Sequence, residues 1–175
     1  MAKWKVDPAH SEVHFKIKHL VISTVTGAFK KFDGNFEASK HDLSDAQINF
    51  TVDASSIDTN NEQRDGHLKS PDFFDAEKYP ELKFVSTSVE KKDDEEYVLT
   101  GELTIRDVTK PVELKVEYGG QTQDMYGQTK AGFDVTGKID RQEFGLKWSG
   151  MTEAGGLVVS NDVKLNISLQ FTKQP

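Results

Sequence analysis

Apolar and polar positions alternate along most of the chain, and a period of two predicts strands rather than helices. Val13, Phe15 and Ile17 take one parity while His14, Lys16 and Lys18 take the other, which marks a half-buried strand. The rhythm returns in Ile48, Phe50, Val52 and Ala54, and again in Tyr97, Leu99, Gly101, Leu103 and Ile105. Val112, Leu114, Val116 and Tyr118 repeat it, as do Ala131, Phe133, Val135, Gly137 and Ile139. A last run joins Val163, Leu165, Ile167, Leu169 and Phe171, and weaker strands fit Thr26 to Ala38 and Leu82 to Val89. About eight strands result, each apolar on one side only, which favours antiparallel pairing over a parallel sheet buried on both faces. Turn chemistry separates the runs at Asp33-Gly34, Gly119-Gly120, Gly155-Gly156 and the charged block Lys91 to Glu96, which reads as a solvated hairpin tip.

Strands of roughly nine to thirteen residues span about 30–40 Å, longer than the usual sandwich strand, and eight of them can close around side chains or one small ligand. An all-β, eight-stranded antiparallel lipocalin-like barrel is therefore favoured over a sandwich, and closure also removes exposed edges. From Thr59 through Tyr79 the alternation stops. Thr59-Asn60-Asn61-Glu62 matches a capping box and Ser70-Pro71 an N-cap followed by proline, so two short helices are expected in an excursion at about residues 60–79. So long a connection in a compact domain is often a lid or a binding loop, which makes it the functional suspect. No linker and no fixed repeat divides the chain, and a single domain over residues 1–175 is expected.

Composition narrows the function. The 175 residues carry 22 Lys and Arg against 29 Asp and Glu, a formal charge of -7, with no basic cluster, so nucleic acid is not expected as a partner. The absence of cysteine removes disulfides, thiolate nucleophiles and cysteine-bound metals. The longest apolar runs, Leu20-Val21-Ile22 and Leu157-Val158-Val159, are far short of the roughly 18 residues of a transmembrane helix. Residues 1–8 hold no apolar stretch of a secretory leader, so the chain as it stands is expected to be cytoplasmic, and periplasmic or secreted if a leader was removed.

Candidate chemistry is sparse. His10, His14 and His19 invite a metal, but on a strand a spacing of four separates side chains by ~13 Å, so no metal site is expected. His19 shares the parity of Val13, Phe15 and Ile17 and should face the interior, either as a core histidine or as a ligand contact. In the first expected helix, spacings of three and four place Arg64, His67 and Leu68 on one face beside Asp65. Arg64 could grip an anionic headgroup or fasten the excursion to a carboxylate, and Asp140-Arg141 admits the same two readings. Phe73-Phe74, with Tyr79 and Pro80, could line a barrel mouth, as could Phe144, Leu146, Trp148 and Met151. No nucleophile elbow, phosphate loop, dinucleotide fingerprint or zinc-protease helix is present, so no catalytic residue is assigned.

Taken in order, Trp4, Asp7, His10-Ser11, His19, Gly27, Phe32, Gly34, Thr59, Arg64-Asp65-x-His67-Leu68, Phe73-Phe74, Tyr79-Pro80 and Phe84 form a recognisable series. Gly101-x-Leu103-Thr104-Ile105, Thr109-x-Pro111-Val112 and Asp140-Arg141-x-x-Phe144-Gly145 extend it over nearly the whole chain. The sequence resembles the YceI-like family of bacterial polyisoprenoid-binding proteins. That resemblance implies an elongated eight-stranded barrel whose pore holds an isoprenoid such as a polyprenyl phosphate or a quinone tail. Asp107 stands where the family usually has glycine, and the family's periplasmic leader is missing from these residues.

The expectation is a carrier or reservoir with no cofactor beyond a bound isoprenoid lipid, and a homodimer is left open. Phe15, Ile17, Phe50 and Phe133 would solvate the tail, with His19, Arg64, Asp65, His67, Phe73, Phe74, Arg141, Phe144 and Trp148 at the mouth. The alternatives are a small stress-related enzyme using His19, Arg64 and Asp65 on an apolar substrate, and a structural barrel filled by its own side chains.

Overall fold

The computed structural model describes residues 1–20, 22–147 and 159–175. Among these the chain forms β1 (Ala2–Val6), β2 (Glu12–His19), β3 (Ser23–Phe29), β4 (Phe32–Ala38), β5 (Gln47–Asp53) and β6 (Ile57–Asp58). One helix, α1 (Glu62–Leu68), precedes β7 (Glu81–Lys91), β8 (Glu96–Ile105), β9 (Val108–Gln123), β10 (Thr129–Asp140) and β11 (Val159–Lys173). All pairings are antiparallel, and the sheet runs β1-β4-β5-β7-β8-β9-β10-β11-β2-β3-β6 with β11 also pairing β1.

Three pairs of these strands are broken halves of single staves. β11 pairs with β1 through Phe171–Lys173 and with β2 through Val159–Ser168, so β1 and β2 lie end to end. β3 and β4 likewise flank β2 and β1, and β6 and β5 follow beside them. Counted as staves, eight strands close an antiparallel barrel, each pairing with its neighbour in the chain and the last with the first. The breaks have local causes. Pro8, at the start of a 3-10 turn, cannot donate to the ladder, and Asp7 caps that turn by accepting from the Ala9 amide at 3.1 Å. Ser11 then bridges back to β11, its Oγ accepting from the Gln170 amide at 2.9 Å. Asp53 caps the corresponding turn at Ala54–Ser56, and Lys30 and Lys31 exchange backbone bonds with Ser56 and Asp53 across the gap.

The expected eight staves and the hairpin tip at 92–95 are present, while other local expectations are corrected. Asp33-Gly34 lies inside β4 and Gly119-Gly120 inside β9, beside a register shift at Gly132/Phe133, so neither is a turn; Gly155-Gly156 lies outside the described residues. The excursion holds one helix, not two. Asn61 rather than Thr59 is its N-cap, accepting from the Arg64 amide at 3.0 Å. After Ser70 the chain makes successive turns, with Asp75 at φ 47 and its amide bonded back to the Ser70 carbonyl, a left-handed residue that a second helix could not contain. At the β8–β9 turn the left-handed position is Arg106, φ 58, and not Asp107, so glycine is not required at 107.

The barrel has unlike ends. The lower end is packed with Trp4, Phe36, Ala38, Leu43, Ala131 and Phe171, with Phe36 and Phe171 edge to face at 4.9 Å. At the upper end lie α1, the β8–β9 turn and the 3-10 turn Arg141–Phe144, over a smaller cluster of Phe73, Ile105, Phe144 and Leu146.

Candidate functional site

Between those ends the barrel is hollow. A cavity of about 620 Å³ runs inside it, within the range of roughly 300–1,000 Å³ that holds one drug-sized ligand. The reading of an interior filled by its own side chains is thereby corrected. The inward residues of the staves form the wall, among them Phe15, Ile17, Phe50, Leu99, Phe133 and Leu165. The strand parity read from the sequence turns these side chains inward, because period-two alternation places every second residue on the concave face.

Glycines explain why so many aromatic rings leave a lumen at all. Gly27 is paired with Phe15 across β2 and β3, and a Cβ there would lie 2.3 Å from the ring. Gly34 stands in the same relation to Phe50, at 2.3 Å, and at Gly101, which pairs with Ser86, a Cβ would lie 2.4 Å from the Phe84 ring. Each ring lies against the wall in a niche that any side chain would fill, which is the reason for glycine inside these strands.

Polar lining gathers at the upper end: His19 from β2, Thr59, and Asn61, Gln63, Arg64 and His67 around α1. Arg64, His67 and Leu68 share the inward face of the helix, as their spacing predicted. Arg64 is held by Thr59, its Nε donating to the hydroxyl at 2.7 Å and Nη2 to the carbonyl at 2.5 Å. His67 Nε2 meets the Asp72 carboxylate at 2.9 Å, and its ring stands edge-on to Phe73 at 5.2 Å. Phe73 and Phe74 both reach the cavity, Phe74 edge to face with Phe29 at 5.8 Å. Among the described residues no carboxylate lines the cavity, and no three His, Asp or Glu side chains are grouped as metal ligands.

Three sequence candidates have other roles in the structure. Asp65 points away from the lumen and accepts from the Thr59 amide at 2.9 Å and from its hydroxyl, because one helical position past Arg64 turns a side chain by about 100°. Phe144, 1% exposed, is packed among Phe73, Ile105 and Leu146, outside the lining. Arg141 touches the cavity wall, but its Nε, Nη1 and Nη2 donate to the carbonyls of Ser160, Leu146 and Val159 at 2.9, 2.6 and 3.2 Å. Burial lowers its pKa, opposed by the charge of Asp140, and its work is to tie the 141–146 turn to the start of β11. Trp148 and Met151 lie outside the described residues.

Sequence reasoning missed the floor. The loop between β4 and β5 folds under the lower end, so that Leu43 and Ala46 line the cavity there. Tyr97 donates from its hydroxyl to the Asp42 carbonyl, Gln121 Nε2 to the His41 carbonyl at 3.0 Å, and Lys91 pairs with Asp42 at 3.1 Å. The Ser44 hydroxyl and amide, with Lys91, hold the Asp42 carboxyl down to about 2. The only sequence signal was a lone leucine in the polar stretch His41-Asp42-Leu43-Ser44-Asp45.

An apolar tube in an eight-stave barrel, with α1 and its arginine at one end, can be set against known proteins. A family model described as the YceI-like domain matches residues 4–171. The chain belongs to the YceI-like family. It is 41% identical to Protein YceI of Escherichia coli O157:H7 over 99% of its own length and 88% of that protein. The crystal structure of the Campylobacter jejuni YceI protein shares 35% identity and a TM-score of 0.77, covering 91% of each chain. A polyisoprenoid-binding domain from Saccharophagus degradans has the same fold, with a TM-score of 0.70 over 98% of both chains at 14% identity. Part of the YceI-like series read from the sequence falls on the glycine niches (Gly27, Gly34, Gly101) and part on the upper rim (His19, Thr59, Arg64, Phe73, Phe74).

Proposed function

We propose that this YceI-like chain binds one long-chain isoprenoid lipid, a polyprenyl phosphate or an isoprenoid quinone, and sequesters or carries it. The observation that carries the reading is the polarity of the cavity: an apolar tube floored at one end, with its polar lining gathered at the other. A tail inside the tube leaves water entirely, and each five-carbon unit is worth roughly 3–4 kcal/mol gross at about 0.8 kcal/mol per methylene. Several units would exceed any real affinity, so ordering and the self-association of free lipid offset most of the gain. The headgroup then meets His19, Gln63, Arg64 and His67, a rim without carboxylates that suits a phosphate or a quinone oxygen. The polyisoprenoid-binding neighbour of the same fold supports this choice of ligand.

Catalysis finds less support. Asp65 and two nitrogens of Arg64 are committed to Thr59, so the three groups named for acid–base work do not converge on a substrate. Organic extraction of the purified protein followed by mass spectrometry tests the proposal and should return an isoprenoid. An empty extract together with no uptake of prenyl phosphates or quinones would overturn it. Turnover of an isoprenoid substrate that is lost in His19→Ala would instead establish the enzyme.

A further inference from the structure

We propose that the loop between β4 and β5 is a length gauge, in which Leu43 closes the lower end of the tube and fixes the longest tail the barrel can hold with its headgroup at the rim. The inference rests on the cavity being a lipid site and adds which lipids it takes. A gauge needs a long channel that a tail enters from one end. The wall residues of β11 run from Val159 to Phe171, which at about 3.3 Å per residue and a tilt near 40° makes the tube roughly 30 Å deep. The cavity of about 620 Å³ is spread along that depth, so a tail whose headgroup stays at the rim runs toward the floor and reaches deeper the longer it is.

A gauge also needs a fixed stop, and the floor is built as one. Leu43 is 6% exposed and holds φ at 63, a left-handed backbone that a side chain disfavours and that persists only where its surroundings impose it. Here the surroundings are extensive. The Asp45 carboxylate accepts from the amides of Ser39 and Lys40, and Asp42 from the amide and hydroxyl of Ser44. Lys91, Tyr97 and Gln121 then pin the loop from β7, β8 and β9 in turn. A connection that merely joined two neighbouring strands would need neither the strained leucine nor anchors on three further strands. Both make sense if the side chain must stay where the tube ends.

The experiment loads the full-length protein with an equimolar mixture of all-trans prenyl alcohols of three to ten isoprene units, repurifies it and quantifies the retained alcohols by mass spectrometry. Wild type should show an upper cut-off. Leu43→Gly, which also suits the left-handed backbone, should raise the cut-off by at least one unit, and Leu43→Phe should lower it. Folded, loaded variants with the wild-type cut-off would overturn the gauge. A wild type that retains no prenyl alcohol of any length sinks the isoprenoid reading, and the same variants are then read with straight-chain alcohols. A shifted cut-off there upholds the gauge; an unshifted one, or no uptake at all, overturns it.

Discussion

Replacing Gly27 by alanine should narrow the lumen more than it unsettles the fold. The new Cβ would lie 2.3 Å from Phe15 Cζ, 2.7 Å from Cε1 and 2.9 Å from Cε2. Carbon atoms rest at about 3.5–4.0 Å, so the ring must retreat by about 1.2 Å or more. Its free side is the cavity, and that direction is open. Overpacking of this kind costs about 1–3 kcal/mol, and because the ring can give way we expect about 2 kcal/mol. At about 2–4 °C per kcal/mol for a chain of this size, Tm should fall by roughly 4–8 °C. A ring displaced by more than an ångström into the tube narrows it, so uptake of prenyl alcohol should fall at least tenfold. Thermal unfolding by circular dichroism and the loading assay read the two effects separately. Gly101→Ala provides the contrast, since its Cβ would meet the Val85 carbonyl oxygen at 2.5 Å as well as the Phe84 ring, and backbone cannot swing aside. It should lose at least twice as much stability. Wild-type uptake in a folded Gly27→Ala protein would refute the niche argument, whatever its Tm.

Other outcomes follow from single contacts. Phe133→Asp puts a carboxylate into the apolar wall and should abolish uptake; unchanged binding by the folded variant would show that no ligand touches that face. Arg141→Lys cannot reach three separate carbonyls, and with two acceptors left alone at about 1–3 kcal/mol each, about 2–6 kcal/mol together, it should lower Tm by roughly 4–24 °C, against no change if the contacts were incidental. Gly66→Ala, in α1 with nothing within 4 Å of the new Cβ, should stabilise by about 0.5–1 kcal/mol, so a lowered Tm would contradict the helix geometry. Asp42 titrates below its unfolded value of about 3.9, so its bonds to Ser44 and Lys91 are at full strength above that pH and are lost as pH falls through about 2. The Ser44 amide resonance should follow that midpoint, and one near 4 would show that the bonds are absent in solution.

The wall of the site was legible in the sequence because alternation is a local property: Phe15, Phe50 and Phe133 each declared their face within a few residues. The upper rim was legible for the same reason, through the helical spacing of Arg64, His67 and Leu68. What escaped depended on contacts between distant segments. β1 is only five residues long and is separated from Pro8 by Asp7 alone, so its alternation ends before it can be read. Asp33-Gly34 has the composition of a turn, and only the Phe50 ring across the sheet shows that the glycine is a niche. Asp65 shares a helix with Arg64 but not its face, and the floor formed by Leu43 is set by anchors on β7, β8 and β9. Helical spacing already separates the faces of Arg64 and Asp65, but the anchors of the floor are not encoded in the spacing of neighbouring residues.

Seven of the eight joints in this barrel lie between staves that follow one another in the chain. The eighth is the seam where β11 meets β1 and β2, pairing Trp4 with Lys173 and Val13 with Ile167, stitched further by the Asp7 amide on the Gln170 carbonyl at 2.7 Å. Long-range pairings of this kind form late, since their loop entropy must be overcome before they contribute. Until residues 159–173 exist the ring cannot close, and the future lumen is one apolar face of an open sheet. For the lipid cargo proposed above, two routes of entry then differ: tip first into a finished barrel, or alongside a barrel that is still folding. Occupancy measured after refolding in the presence of lipid and occupancy reached by the native protein are therefore different quantities, separated by the opening of a single seam.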